Sequence, residues 1–407
     1  MLTVDEAMAL VLKRASPLPS TGLALMDAAR LVLAEDVAAD ADQPPFDKSL
    51  MDGYAIRAAD MPGSASRFRL AETIHAGESS ARTLGPGEAA AIMTGAPMPA
   101  GADAVVIVEH AEESDGEVTL HPPAAVKVGQ HILPQGRVYR RGDELLKAGN
   151  ELTPARIGLL AAVGYATVRV IPRPELTIVP TGDELVEPGE IPAPGQIRNS
   201  NAAMLAALAI DRGLAPRIRP IAPDEPKALA AALATGLESD VLLVTGGVSA
   251  GRRDLVPGVL ESLGVRQVFH RVRMKPGKPL WFGVGPTRGS RPGTLVFGLP
   301  GNPLSGLLGF VLFVAPALER LAGRPHATRG MISGRLARDC NHRSDLETYR
   351  LATRSSSVVE GPFEVDILDS IGSADVLAAA TADGFAVFSP GDRVFARGEI
   401  VRFLPMR

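Results

Sequence analysis

Cysteine is nearly absent: Cys340 is the only one in 407 residues. That excludes an intramolecular disulfide and any cysteine-rich metal site, and it fits a reducing compartment. Aromatic residues are scarce, at 4%, which decides nothing by itself. Neither sign of charge dominates. A net charge of −4 excludes a global basic field for nucleic acid. A local positive pocket stays open, because Arg252, Arg253, Arg271, Arg273, Lys275 and Lys278 lie close in sequence. Long apolar runs are also missing. The greasiest, Leu304–Leu318, is interrupted by Pro316 and falls short of the ~20 residues of a membrane span, so it reads as a buried helix. The acidic start Met-Leu-Thr-Val-Asp-Glu shows no secretory h-region. The expectation is a cytoplasmic protein with no membrane or nucleic-acid partner.

What is present is enough apolar residue, 46% of the chain, for two to four domains. Residues 1–40 read as helical, with Thr3 as cap and Glu6 in the capping-box position. The double proline at 44–45 breaks that pattern. Short apolar runs then alternate with turn clusters to about Arg141, as in a small β-rich domain. Thr153–Gly164 returns to helix, with Pro154 in its first turn, so an inserted domain is expected.

Beyond Pro172-Arg173-Pro174, strand and helix alternate. Strands are expected at Leu176–Val179, Arg217–Ile221, Val241–Val244 and Thr294–Phe297. Helices are expected at Ala202–Arg212 (capped by Asn199 or Ser200), Glu225–Leu233 (capped by Asp224), Leu255–Leu263 and after Pro303. That alternation predicts an α/β domain with a mostly parallel sheet, its ligands outside the carboxyl ends of the strands. After residue 324, short strands at Met331–Ala337, Thr348–Thr353, Phe363–Leu368, Phe385–Phe388 and Ile400–Leu404 predict a closing β domain.

Candidate chemistry gathers at the strand ends. Thr245-Gly246-Gly247-Val248-Ser249 follows a strand, and successive glycine amides can nest phosphate oxygens; a plain strand-to-helix turn uses the same residues. Thr181-Gly182-Asp183-Glu184, Asp224 and Asp254 put acids at three strand ends, the donor type that holds Mg²⁺ together with substrate phosphates; helix capping is the bland alternative. Lys275-Pro276-Gly277-Lys278 sets two lysines on a stiff turn suited to an oxyanion. Gly298–Ser305 puts Pro303 at a helix start with amides open to an anion. Asp47–Ala55 is dense and unusual, with Asp52 before Gly53. The histidines show no metal-ligand spacing.

In fixed order, Ser49–Ala55, Met93–Ala96, Gly101–Val106, Leu152–Gly164, Pro180–Leu185, Ile197–Asn201, Thr245–Asp254, Lys275–Pro279, Gly298–Ser305, Ile371–Ser373 and Ala382–Gly384 resemble the molybdopterin molybdenumtransferase family (MoeA-type, including the E domain of gephyrin). The resemblance covers essentially the whole chain. It implies a homodimer of four-domain protomers. Residues 1–43 and 142–172 would form a split N-terminal helical and linker domain, 44–141 an inserted β-rich domain, 173–323 an α/β molybdopterin-binding-like domain, and 324–407 a β barrel-like domain. The implied activity is insertion of molybdenum from molybdate into adenylylated molybdopterin, with a divalent cation, Mg²⁺, and release of AMP. Implied partners are those two substrates, the pathway's molybdopterin adenylyltransferase and apo-molybdoenzymes.

The resemblance also implies roles. Glu184 and Asp254 match metal-binding acids, and Asp224 another active-site acid. Lys275 and Lys278 would bind pterin phosphate or molybdate, with Arg271 at a family lysine position. Gly246, Gly247 and Ser249 would cradle phosphates. Thr181, Ser200, Pro300, Pro303, Ser305 and Arg350 would line the ligand site. Asp52 and Thr94 would reach it from the inserted domain across the dimer interface. There are departures. Ile132–Val138 reads Ile-Leu-Pro-Gln-Gly-Arg-Val where the family usually has Ile-Arg-x-x-Gly-Glu-Asp, so the arginine and aspartate are missing. Lys48 replaces a common asparagine, Arg252 stands where acids are frequent, and Asp383 replaces an asparagine. Two other readings stay open: a molybdopterin-binding carrier or scaffold without turnover, and a nucleotidyl transferase or pyrophosphatase on the same fold.

Overall fold

The computed structural model describes residues 1–248, 255–324, 330–355 and 363–406. The chain divides into two compact units, Met1–Ala34 with Val168–Arg407, and Glu35–Thr167.

In the first unit a six-stranded sheet comprises β1 (Leu176–Pro180), β2 (Arg217–Ile218), β3 (Val241–Thr245), β4 (Arg266–His270), β5 (Trp281–Val284) and β6 (Leu295–Leu299), ordered β2-β1-β3-β6-β5-β4. Its helices are α1 (Ser200–Ile210), α2 (Pro226–Gly236), α3 (Val256–Ser262) and α4 (Pro303–Leu321). Strands β1, β3 and β6 are buried along their whole length, as expected of strands covered on both faces. They pair in parallel with one another and with β2. Side-chain alternation divides the core. Val241 and Leu243 point to one face with Ile178, Leu205 and α4; Leu242 and Val244 point to the other with Leu229, Leu233 and Leu260.

The sheet corrects the parallel expectation at one edge, where β5 runs antiparallel to β6 and β4 antiparallel to β5. These strands flank the lysine turn, which is therefore an excursion from an antiparallel pair. Strand β2 stops at Ile218, short of the expected Ile221, because Pro220 offers no amide to the ladder. Helix α2 is capped by Glu225, whose carboxylate accepts from the Lys227 and Ala228 amides, not by Asp224. Helix α4 contains a π segment, Phe310–Val314, just before Pro316. It is the one described helix long and apolar enough to cross a membrane, and it lies inside the core.

The helix expected over residues 1–40 ends at Arg14. Pro17 and Pro19 stop it, and Val32-Leu33 pairs with Val170-Ile171 as strand. The capping box at Thr3 and Glu6 forms as expected. After α4, the strands Ile332–Leu336, Glu347–Ser355, Glu364–Ile367, Gly384–Phe388 and Ile400–Pro405 close into a ring. Sequence reading missed the pair Cys340–Ser344 with Gly391–Phe395, both polar on their exposed side, and the short helix Val376–Thr381.

The second unit carries a six-stranded sheet in the order Ala104–Ile107, Gly53–Ile56, Glu88–Ile92, Ser66–Ile74, Glu117–Leu120, Ala111–Ser114. The helix Pro154–Ala162, capped by Thr153, belongs to the same unit.

Candidate active site

The carboxyl ends of β1 and β3 are tied side by side. The Thr181 amide and hydroxyl both donate to the Thr245 carbonyl, at 2.9 and 3.2 Å. Thr181 is buried, so its hydroxyl acts first as a clamp between strands. The chain then turns at Gly182 in a left-handed conformation (φ 135°), and a Cβ there would lie 2.5 Å from Glu184 Oε2. Glycine suits this backbone angle, and a side chain here would make the Glu184 carboxylate shift from where it folds back over the strand end.

Glu184 thereby lines a cavity of about 350 Å³ with Thr181, Ser200, Asn201, Gly246 and Pro303, among others. Asn201 donates its amide to the Gly301 carbonyl at 2.7 Å. Its Oδ1 is buried without a hydrogen-bond partner. A carboxylate and an unpaired amide oxygen are hard donors, the type that suits Mg²⁺ completed by water and substrate phosphate. Among the described residues no group of three acidic, histidine or cysteine side chains could hold a metal unaided. The donor set therefore fits a cation shared with its ligand. Asp254 and Ser249 lie outside the described residues.

Lys275 and Lys278 line a second cavity, of about 590 Å³, with Pro300, Asn302, Leu304, Ser305, Tyr349 and Arg350. Met274-Lys275 pairs in parallel with Glu347-Thr348 of the barrel, which fixes the lysine turn against the strand carrying Arg350. The guanidinium of Arg350 is itself steered by the Cys340 sulfur, to which Nη1 donates at 3.0 Å. The two cavities share Asn302, so Pro300–Ser305 is a common wall between the carboxylate side and the cationic side. Asn302 and Asn201 escaped sequence reading. Asn302, between glycine and proline at a helix start, was the legible one.

The expectation of open amides needs correction at three places. The Gly246 amide donates to Leu299 at 3.1 Å, extending the parallel ladder. The Leu304 amide donates to Ser373 and that of Ser305 to Asn302, both at 3.0 Å. The first two are taken because another chain segment packs against them, and the Ser305 amide is taken by the first turn of α4. Gly247 (φ 61°) faces Val256 of α3 and lines neither cavity.

Two other candidates line neither cavity. Arg271, in the left-handed region (φ 73°), lines neither cavity. Asp224 donates its amide to Asp183 Oδ1 at 3.0 Å on the turn next to Ala222, which bridges Thr181; it too lines neither cavity.

In the second unit, Asp52 and Thr94 meet directly. The Asp52 carboxylate accepts from the Thr94 amide at 2.6 Å and from its hydroxyl at 2.7 Å. Those bonds hold the carboxyl below its ordinary pKa of 3.8, the amide contributing most. Asp52 is thus a fixed anion at neutral pH, not a proton donor. Two of the sequence departures are partners here: Leu133 lies opposite Lys48 in an antiparallel pair.

Residues 2–164 match the MoeA N-terminal region (domain I and II), and residues 177–320 match a probable molybdopterin binding domain. The molybdopterin molybdenumtransferase of Bacillus subtilis (strain 168) is 34% identical, covering 100% of this chain and 94% of that protein. That of Staphylococcus aureus (strain Mu50) is 32% identical, covering 98% and 94%. A crystal structure of the molybdopterin biosynthesis moea protein from Pyrococcus horikosii superimposes with a TM-score of 0.83 at 30% identity, covering 100% of this chain and 99% of that one.

Proposed function

The chain belongs to the molybdopterin molybdenumtransferase family, and from that premise we propose that it inserts molybdenum from molybdate into adenylylated molybdopterin and releases AMP. The observation that carries the reading is the common wall at Asn302, with a carboxylate and an open amide oxygen on one side and two lysines with an arginine on the other. A substrate joined through a pyrophosphate needs both: donors for a divalent cation and fixed positive charge for phosphate or molybdate oxygens.

In this proposal Glu184 and Asn201 hold Mg²⁺, with Asp254 as a further ligand, and Asp224 adds negative charge nearby. When bound, the cation would supply charge stabilisation at the split pyrophosphate. Lys275, Lys278 and Arg350 orient the pterin phosphate and molybdate, and the prolines Pro276 and Pro300 keep that surface from collapsing. Their charges are prearranged, so little reorganisation opposes the reaction. Asp52 and Thr94 enter through the homodimer that we include in the proposal. The chain's own residues bind, orient and neutralise; no side chain is required to exchange a proton. Lys48 supplies positive charge beside position 133, where the family resemblance leads one to look for an arginine. The apo-molybdoenzymes and the adenylyltransferase are the partners in this reading, in the cytoplasm.

The test is a single-turnover assay with purified protein, adenylylated molybdopterin, Mg²⁺ and molybdate, following AMP and active cofactor together. Molybdate-dependent AMP release with cofactor formation is the expected result. Tight pterin binding with no AMP would overturn the enzymatic reading in favour of a carrier or scaffold, and pyrophosphate release from ATP would favour a nucleotidyl transferase.

A further inference from the structure

A second positively charged cavity lies outside the residues used above. Four distant segments line it: Arg30–Val32, Arg173-Pro174, Arg212 and Leu214 after α1, and the end of α4 with Arg324. They bring Arg30, Arg173, Arg212 and Arg324 to one place against one lining carboxylate, Glu319. Arg324 engages Glu319 at 2.7 Å and also reaches the Arg30 carbonyl at 3.2 Å. Arg30 presents that carbonyl from a left-handed backbone (φ 67°), a conformation uncommon outside glycine and often retained for a purpose.

Arg173 and Arg212 differ from Arg324. Among the described residues their guanidiniums donate only to carbonyl oxygens: Arg173 to Ala29 at 3.4 Å, and Arg212 to Leu208 and Met406 at 2.8 and 3.5 Å. Arg212 lies over the Phe310 ring, 5.4 Å from its centroid. Burial lowers its pKa, countered by the charges of Glu319 and then Asp211, yet arginine stays protonated. Arg173 packs over Gly213, where a Cβ would meet its Nε at 3.4 Å, in van der Waals contact. Two positioned guanidiniums with donors to spare thus face a common space.

We propose that this space binds one small inorganic anion, with Arg173 and Arg212 as its principal donors and Arg30 and Arg324 completing the positive field. An inner volume of about 20 Å³ admits one water-sized atom, such as a single oxygen of an oxyanion, and is too small for a nucleotide or pterin. Guanidinium forks match oxyanions best, so a tetrahedral oxyanion whose outer atoms stay in solvent is the first ligand to try. Because the anion would join four segments of the first unit, its binding appears as stability.

The experiment is thermal unfolding of the full chain in sodium sulfate and in sodium chloride at matched ionic strength. The variants are Arg173→Gln, which removes an exposed donor with little risk to folding, Arg212→Lys, and the double variant Lys275→Ala/Lys278→Ala. A saturable rise in midpoint of about 2–5 °C is expected for the parent chain. Arg173→Gln should weaken half-saturation at least tenfold, while the lysine variant keeps the full response. Whichever salt saturates at lower concentration identifies the anion class. An equal response in Arg173→Gln overturns the proposal. So does loss of the response in the lysine variant, which would move the anion to the other cavity, or a linear rise common to both salts.

Discussion

Glu184 acquires its position from a neighbour two residues back. Gly182 clears the space above the strand end, and a Cβ there would displace the carboxylate from its position. Replacing Glu184 by Gln keeps the shape and removes the charge. AMP release should fall about 10²-fold, while affinity for the pterin, read by equilibrium dialysis, changes little. Equal loss of both would assign Glu184 to binding alone. Asp52 offers a different test. Its folded pKa is depressed by the Thr94 amide and hydroxyl, so the stability it contributes is present above pH 3.8 and is lost as pH falls through the lower folded value. Thr94→Val removes the hydroxyl donor, and the Asp52 carboxyl carbon, followed by NMR, should then titrate at a higher pH than in the parent. No upward movement would mean that the hydroxyl contributes nothing.

At the scale of elements, the legible parts were those with a local cause. The capping box at Thr3, the Thr153–Pro154 start and the wholly buried strands β1, β3 and β6 follow from residue chemistry within a few positions. What misled was equally physical. Alanine-rich residues 21–38 suggest helix, but Thr21–Ala24 and Val32-Leu33 pair with the strand Thr167–Ile171, and Val37-Ala38 pairs with Glu144–Leu146, which outweighs a weak propensity. Gly246 suggested an open phosphate nest. Its φ of 90° and a Cβ position 2.6 Å from the Thr181 carbonyl make it a packing glycine whose amide is already used. Gly246→Ala should therefore destabilise by about 1–3 kcal/mol in urea unfolding; a neutral result would show that the strand end accommodates a side chain there. Lys48 and Leu133 face each other across two paired strands. Lys48→Asn should lower molybdate-dependent AMP release, and adding Leu133→Arg should restore it. A double variant no better than the single one would separate the two positions.

For the whole molecule, stability has one polar anchor that sequence reading did not single out. Asp240 is 3% exposed, and its carboxylate accepts from the Glu175 amide at 2.9 Å and from Arg288 and Arg291 at 3.1 and 3.2 Å. Asp240→Asn removes the charge that two guanidiniums share at the start of β3, Arg291 keeping Glu175 as a partner, and a loss of about 1–3 kcal/mol in urea unfolding is expected. The site has the same long-range character. Lys275 meets the barrel through a two-residue parallel pairing with Glu347-Thr348, and Asn302 stands between two cavities built from segments far apart in sequence. By itself, the sequence determined the chemistry available and the order of the motifs: acids and glycines at strand ends, a stiff lysine turn, a proline-started helix. Those depend on side-chain type and backbone preference over a few residues. Only the tertiary structure decided which amides were already spent and that the Cys340 sulfur steers Arg350. It also decided that four arginines spread between positions 30 and 324 share one cavity. Each of these is a matter of which distant segments pack together, and no local preference encodes that.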